Sequence, residues 1–285
     1  MAANEDSSLP PVAKSGLSKE LTNRIASAVV MIPLALVTAY WGGWAFALFW
    51  LAAGIAMMVE WTNMTRVEPL RPVQIVYGVG LAALTALFLM DAEFGVSLLT
   101  GLAFLLAGSL LARESVGKLW GALGFAYAVI IVLVPPIVRD HPNLGLVGLI
   151  WMFAVVWATD IAAYFTGRAL GGPKLWPLVS PKKTWSGFFG GLFAGALAGF
   201  LVAWGAQRLG WTNPFGLPGV IILSMVASVA SQLGDLGESA LKRHCDVKDS
   251  SHLIPGHGGV MDRLDGFWAV SLILGVVLLI IRLAA

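Results

Sequence analysis

Charged residues are scarce. Only 12% of the 285 positions are Asp, Glu, Lys or Arg, about half the share of an average soluble domain, while 58% are hydrophobic. That ratio excludes an ordinary soluble enzyme. Cysteine is nearly absent, and the single Cys245 excludes both an intrachain disulfide framework and a cysteine-built zinc cage. Net charge is small as well, 18 Lys+Arg against 16 Asp+Glu, so no global basic field points to nucleic acid. What is present is a mean hydropathy of +0.82 with 12 Trp, 14 Phe and 33 Gly. This is the composition of an all-α, polytopic helical membrane protein, in which each backbone polar group is paired within its own helix.

Residues 1–24 read as a polar N-terminal tail containing Pro10 and Pro11, without the basic-then-apolar layout of a cleavable signal peptide. Residues 25–285 read as a single transmembrane domain. Cutting the apolar runs at charges, Gly-Gly pairs and Pro gives about nine spans, near 25–41, 43–59, 73–90, 94–112, 119–138, 144–165, 186–207, 217–236 and 265–283. The first two are parted only by Gly42 and Gly43. Short cytoplasmic loops collect Lys and Arg, and with a cytoplasmic N-terminus 15 of the 18 positive residues fall inside, leaving only Arg139, Arg208 and Arg282 outside. Fusing the first two spans would scatter the positives on both sides. No internal repeat is evident, which weakens an inverted-repeat transporter reading.

Two cytoplasmic-side elements, 157–187 and 228–265, concentrate the chemistry. Segment 166–187 carries four positives and no acid; segment 235–265 holds six of the 16 acids, four Lys/Arg and three of the four His. Ser228, Gln232, Asp235 and Ser239 are spaced by four, three and four, which makes one polar stripe on an apolar helix. For Ser228 and Gln232 helix–helix hydrogen bonding is an equal alternative to function. An ionisable Asp235 at the membrane boundary favours function, because its desolvation is costly. Trp157, Asp160 and Tyr164 share a face by the same spacing; the two aromatics fit an interfacial belt equally well, but a belt needs no acid. Ser180-Pro-Lys182-Lys183-Thr184 sets two cations and two hydroxyls beside the start of a helix, a suitable place for phosphate, although a Lys pair here also serves as a topogenic signal. A Walker-type P-loop is absent.

The stretch from Ser239 to Asp265, SALKRHCDVKDSSHLIPGHGGVMDRLD, is far more specific. It resembles the signature of the phosphatidate cytidylyltransferase (CDP-diacylglycerol synthase) family at all 27 positions. The resemblance extends to Ser180–Thr184, to Gln232-Leu-Gly-Asp235 and to the Trp157/Asp160/Tyr164 region, about the C-terminal half of the chain. It implies that CTP and phosphatidic acid are converted to CDP-diacylglycerol and pyrophosphate with a divalent metal, Mg²⁺ and optionally a second cation. It also implies a homodimer in the cell's inner membrane with the site on the cytoplasmic side.

The residues make sense of that reaction. Joining a phosphate monoester to a triphosphate brings negative charges together, so the protein must neutralise charge and align groups rather than supply a covalent nucleophile. Asp235 and Asp262 are the expected metal ligands, with Asp160 and Asp265 in reserve and Asp249 as a salt-bridge partner of Lys248 or Arg243. Lys183, Lys182, Ser180, Thr184, Lys242, Arg243 and Arg263 are assigned to substrate phosphate. His257, ahead of Gly258-Gly259, is assigned first as a donor to phosphate and second as a base. A phosphatidate phosphate is already mostly dianionic at neutral pH, so no base is obligatory. Three rivals remain. An ion-coupled transporter would not require the dense cation–acid loop; a CDP-alcohol phosphotransferase would need a D-G-x-x-A-R motif that this chain lacks; a CTP-dependent lipid kinase would release CDP instead of pyrophosphate.

Overall fold

The structure, a computed structural model, describes residues 19–211 and 213–284. Nine helices follow one another: α1 (Lys19–Trp41), α2 (Gly43–Met64), α3 (Leu70–Leu89), α4 (Phe94–Leu111), α5 (Ser115–Asp140), α6 (Gly145–Leu170), α7 (Trp185–Arg208), α8 (Gly216–His244) and α9 (Met261–Ala284). Eight of them, α2 to α9, are long and apolar enough to cross a membrane; in α1 the apolar stretch is the shorter Val29–Trp41. The chain is a polytopic helical membrane protein. Helix α1 begins at Lys19, inside the segment expected to be tail, and residues 1–18 of that segment lie outside the described residues.

Contacts between distant residues sort the helix ends into two groups. At one end Ser27, on α1, meets His257 at 2.7 Å, Trp61 donates to the Trp120 carbonyl at 2.9 Å, and Lys183 meets Asp235 at 2.6 Å. At the other end Arg139, near the end of α5, donates from Nε to the Ala39 carbonyl at 2.6 Å and from Nη2 to the Tyr40 carbonyl at 2.9 Å. There the guanidinium covers the free carbonyls and negative dipole end of α1. Arg282 lies over the Phe94 ring, 5.0 Å from its centre, at that end too. Helix α1 therefore runs from one end of the bundle to the other. The break after it is made by Gly42 and Gly43, whose φ of 69° and 51° lie in the left-handed region that favours glycine.

Two packed clusters join the bundle. One runs through Trp50, Met57, Trp151, Met152, Val155, Phe267 and Val270; the other, under the peripheral helices α3 and α4, is built on Tyr77, Leu81, Phe125 and Ala128. Trp50 stacks on Phe267 with centroids 5.0 Å apart, tying α2 to α9. Helix α7 packs through a glycine row, Gly187, Gly191, Gly195 and Gly199, all buried. A Cβ on Gly191 would stand 2.9 Å from the Thr159 carbonyl oxygen, so the row lets α6 and α7 approach backbone to backbone. Ser228 and Gln232 contribute to this seam. Thr159 donates to Ser228 at 2.8 Å, Ser228 to the Gly191 carbonyl at 3.3 Å, and Gln232 to the Phe188 carbonyl at 3.2 Å.

Three local features differ from the sequence reading. Segment 174–184 is not a plain loop: β1 (Lys174–Trp176) pairs antiparallel with β2 (Ser180–Thr184), with Lys174 opposite Thr184 and Trp176 opposite Ser180. Helix α8 continues two turns past Asp235 to His244, stabilised by the Glu238–Lys242 pair at i,i+4 and by basic residues in its last turn. Helix α9 begins at Met261, so Asp262 and Asp265 are helical and the connecting loop is only 245–260.

Candidate active site

Where α6, the hairpin, α7, α8 and α9 meet, they enclose an open cavity of about 810 Å³. Asp160, Tyr164 and Arg168 reach it from α6, Lys174, Lys182 and Lys183 from the hairpin, and Asp235, Glu238 and Lys242 from α8. Asp249, Asp262, Arg263 and Asp265 complete the wall. The i, i+3/i+4 spacing of 235, 238 and 242 on α8 turns all three side chains the same way. Thr184 caps α7: its Oγ1 accepts from the Gly187 amide at 3.2 Å, which fixes the hairpin against the helix start.

Two lysine–aspartate pairs face this space. Lys183 Nζ stands 2.6 Å from Asp235 Oδ2, with both side chains partly exposed, and Ser239 Oγ donates to the other Asp235 oxygen at 3.4 Å. Lys242 Nζ stands 2.6 Å from Asp262 Oδ1 and 2.8 Å from Glu238 Oε2, and this second group is largely buried. Asp262 Oδ2 accepts from the Gly259 amide at 2.8 Å, from Ser250 Oγ at 2.9 Å and from the Ser250 amide at 3.0 Å. Asp262 thus shapes the loop before α9 as well as facing the cavity. Among the described residues Asp160 has no cation at ion-pair distance, and the Asp265 carboxylate accepts only from the neighbouring Gly266 amide at 2.7 Å. Asp265 lies within electrostatic reach of Asp235, Glu238 and Asp160.

Of the residues assigned from sequence, the fold brings Asp160, Lys182, Lys183, Thr184, Asp235, Lys242, Asp262, Arg263 and Asp265 to one cavity wall. It does not bring Ser180, Arg243 or His257 there. Arg243 is exposed and follows Lys242 on α8, so it points about 100° away. His257 Nδ1 is 2.7 Å from Ser27 Oγ, while its carbonyl accepts from Arg263 Nε at 2.9 Å. Asp249 lines the cavity and makes no ion pair with Lys248 or Arg243 among the described residues. Burial pushes the Cys245 thiol up from its ordinary range.

Sequence reasoning missed two acids. Glu238 was signalled by its spacing to Lys242. Glu60, on α2, is 2% exposed, and its carboxylate accepts from Ser251 Oγ at 2.6 Å, from the Val260 and Met261 amides at 2.8 Å each and from Ser250 Oγ at 3.2 Å. Hydrogen bonds to an ionised acceptor contribute about 1.5–3 kcal/mol each, enough together to offset much of the desolvation of a buried carboxylate.

The comparison with known proteins follows this geometry. The sequence profile described as the Cytidylyltransferase family matches residues 22–281. A phosphatidate cytidylyltransferase of Brucella suis biovar 1 is 41% identical over 258 residues, covering 89% of this chain and 92% of the relative. One from Haemophilus influenzae is 36% identical over 278 residues, 87% and 95% of the two chains, and one from Bacillus subtilis is 43% identical over 130 residues, 46% of each. The matched region contains every residue of the cavity wall, and the chain belongs to the cytidylyltransferase family.

Proposed function

We propose that this cavity joins CTP to phosphatidic acid, giving CDP-diacylglycerol and pyrophosphate in phospholipid biosynthesis, on the cytoplasmic side of the cell's inner membrane. The observation that carries the assignment of roles is the pair of lysine–aspartate contacts, Lys183–Asp235 and Lys242–Asp262, lining one open cavity. Lys183 balances Asp235, and Lys242 is shared between Asp262 and Glu238. Incoming phosphates draw the two ammonium groups off their carboxylates, and the released carboxylates need a cation in exchange.

The residues fit a magnesium ion in that role. The acidic donors are carboxylate oxygens, the ligand class a hard cation prefers, and Glu238 Oε1 is a buried acceptor without a hydrogen-bond partner among the described residues. Among the described residues no three His, Cys, Asp or Glu stand together as a ready-made metal cluster. That suits an ion that takes one or two protein carboxylates and completes its shell with substrate oxygens and water. Asp235 and Asp262 would hold it, with Asp160 and Asp265 as further donors on the same wall. When bound, the ion supplies charge neutralisation at the reacting phosphates.

In the reaction a phosphatidate oxygen forms a bond to the α-phosphorus of CTP as the bond to the β-phosphate oxygen breaks and pyrophosphate leaves. Lys183, Lys182, Lys242 and Arg263 align and neutralise these groups, and no protein nucleophile is required. Arg168, whose Nη1 donates to the Tyr164 hydroxyl at 2.9 Å, and Lys174 extend the positive rim. A homodimer, implied by the family resemblance, belongs to the same proposal and is measured by native mass spectrometry of the detergent-solubilised protein.

The test is to incubate purified protein with CTP labelled in the cytosine ring, phosphatidic acid and Mg²⁺. Label entering the lipid phase with release of pyrophosphate is expected; release of CDP and a newly phosphorylated lipid would identify a lipid kinase instead. Sidedness is a separate prediction, motivated by the sequence count that assigns 15 of the 18 positives to the same side as the segments 166–187 and 235–265. With Cys245 replaced by Ser, single cysteines at Lys174 and Ser251 should label from the cytoplasmic face of sealed membranes and one at Asn143 from the opposite face. Lys174 and Ser251 labelling from different faces would overturn the topology.

A further inference from the structure

We infer that Glu60 is a positioning residue for the reaction, holding the Asp262–Lys242 pair in place from the other half of the chain. The inference rests on the proposed site above but assigns a role to a residue outside the cavity wall. Helix α2 otherwise belongs to the apolar packing: it contacts α5 through Trp61 and the core through Trp50 and Met57. One ionisable group interrupts it near the end that carries the site.

Glu60 forms no ion pair among the described residues. Instead its two oxygens are shared among four donors, all from the segment that leads into α9. Oε1 takes Ser251 Oγ and the Val260 amide; Oε2 takes the Met261 amide and Ser250 Oγ. The two amides are free donors at the start of α9, where the positive end of the helix dipole stabilises a carboxylate. Glu60 thus does for α9 what an N-capping side chain does, but from 200 residues away in sequence.

The connection to the site runs through Ser250. Its hydroxyl lies within hydrogen-bond distance of both Glu60 Oε2 and Asp262 Oδ2, and its amide donates to Asp262 Oδ2 as well. Asp262 Oδ1 in turn holds Lys242. A serine hydroxyl has one proton, so the two carboxylates compete for it and share its position. The packing leaves no slack: a Cβ on Gly259 would stand 2.7 Å from Glu60 Oε1 and still closer to the Ser250 hydroxyl. Glycine at 259 is therefore a consequence of two carboxylates converging on one turn. This contact also explains why an acid, and not a neutral amide, occupies position 60. Four donors point at the side chain, and an amide would turn its own NH₂ toward two of them.

The experiment compares Glu60→Gln, Ser250→Ala and the double variant in purified, detergent-solubilised protein. Glu60→Gln is expected to lower kcat by roughly 10- to 100-fold, the usual scale for loss of a group that orients a reacting side chain. Because both changes act through Asp262, the double variant should be scarcely slower than the worse single one. Hydrogen exchange supplies a readout that does not depend on turnover. The Val260 and Met261 amides should lose protection in Glu60→Gln while the amides of α5 keep theirs. Multiplicative losses in the double variant, or a kcat for Glu60→Gln within about twofold of the parent, would overturn the inference. Should Glu60→Gln fail to insert, Ser251→Ala carries the same test, since it removes one donor to the same carboxylate. Unchanged exchange at Val260 together with unchanged turnover in that variant would count against the inference.

Discussion

Asp235→Asn is expected to leave an inserted, folded protein whose turnover falls by roughly 10³-fold or more, the scale seen when a site loses a charge that the transition state depends on. The substitution keeps the size and the Ser239 contact but removes the charge that faces Lys183 at 2.6 Å. Two consequences can be separated. Loss of an ionised oxygen donor should raise the Mg²⁺ concentration needed for half-maximal rate. Release of Lys183 from its carboxylate should leave or improve the apparent affinity for the substrate whose phosphate it grips. Asp262→Asn should be as damaging for turnover, but with a further mark. Asp262 also accepts from Ser250 and Gly259, so hydrogen exchange in the 245–260 loop should accelerate in this variant and not in Asp235→Asn. A near-normal rate with unchanged Mg²⁺ dependence in Asp235→Asn would remove that residue from the site.

The helices were legible because membrane insertion leaves a strong trace in composition. Apolar runs mark the spans, and a Gly42-Gly43 break with positive φ is one that few other sequences could make. The same logic hid Glu60. Ending the second span at Val59, where the charge begins, put the acid in a loop, whereas helix α2 carries on to Met64 and buries it. Helix α8 was cut short at the membrane boundary for the same reason. Continuing it through Lys242 and Arg243 places the two residues on different sides of one helix, so a phosphate-binding role assigned to both from their adjacency is met at the cavity by Lys242 alone. The hairpin left almost no trace. Its strands are three and five residues long, and Ser-Pro-Lys-Lys-Thr shows no alternation of apolar and polar side chains.

The site itself was legible by residue type and spacing, but its pairing was not. Lys183 and Asp235 are 52 positions apart, and Lys242 and Asp262 are joined through a loop whose path depends on Glu60. Sequence separates the cations from the acids; only the fold shows that Lys183 sits on Asp235 and Lys242 on Asp262. That arrangement answers a physical problem of an open polar cavity at a membrane boundary. Unpaired, such charges would be costly to hold close together in partly desolvated surroundings, and the lysine contacts lower that cost.

Lys183→Gln should therefore be severe and Lys174→Gln mild, although each removes one positive charge from the same hairpin and weakens the insertion signal equally. Lys183 is half-buried and fixed on Asp235, next to Thr184, which caps α7 and so holds the end of β2 in place. Lys174 lies opposite Thr184 on the partner strand, exposed at the rim of the cavity and without an ion-pair partner among the described residues. A fixed cation stabilises charge developing in the transition state without reorganising, whereas a mobile one adds mainly to the local potential. The expected losses are roughly 10²- to 10³-fold in kcat/KM for Lys183→Gln and within about fivefold for Lys174→Gln, with the mild effect shrinking further as salt is raised. Steady-state rates against CTP and against phosphatidic acid, varied separately, would show which phosphate Lys183 holds, since only one apparent affinity should move with it. Equal losses in the two variants, both relieved or abolished by salt in parallel, would mean that the hairpin is an electrostatic rim and that the Lys183–Asp235 contact plays no part in the chemistry.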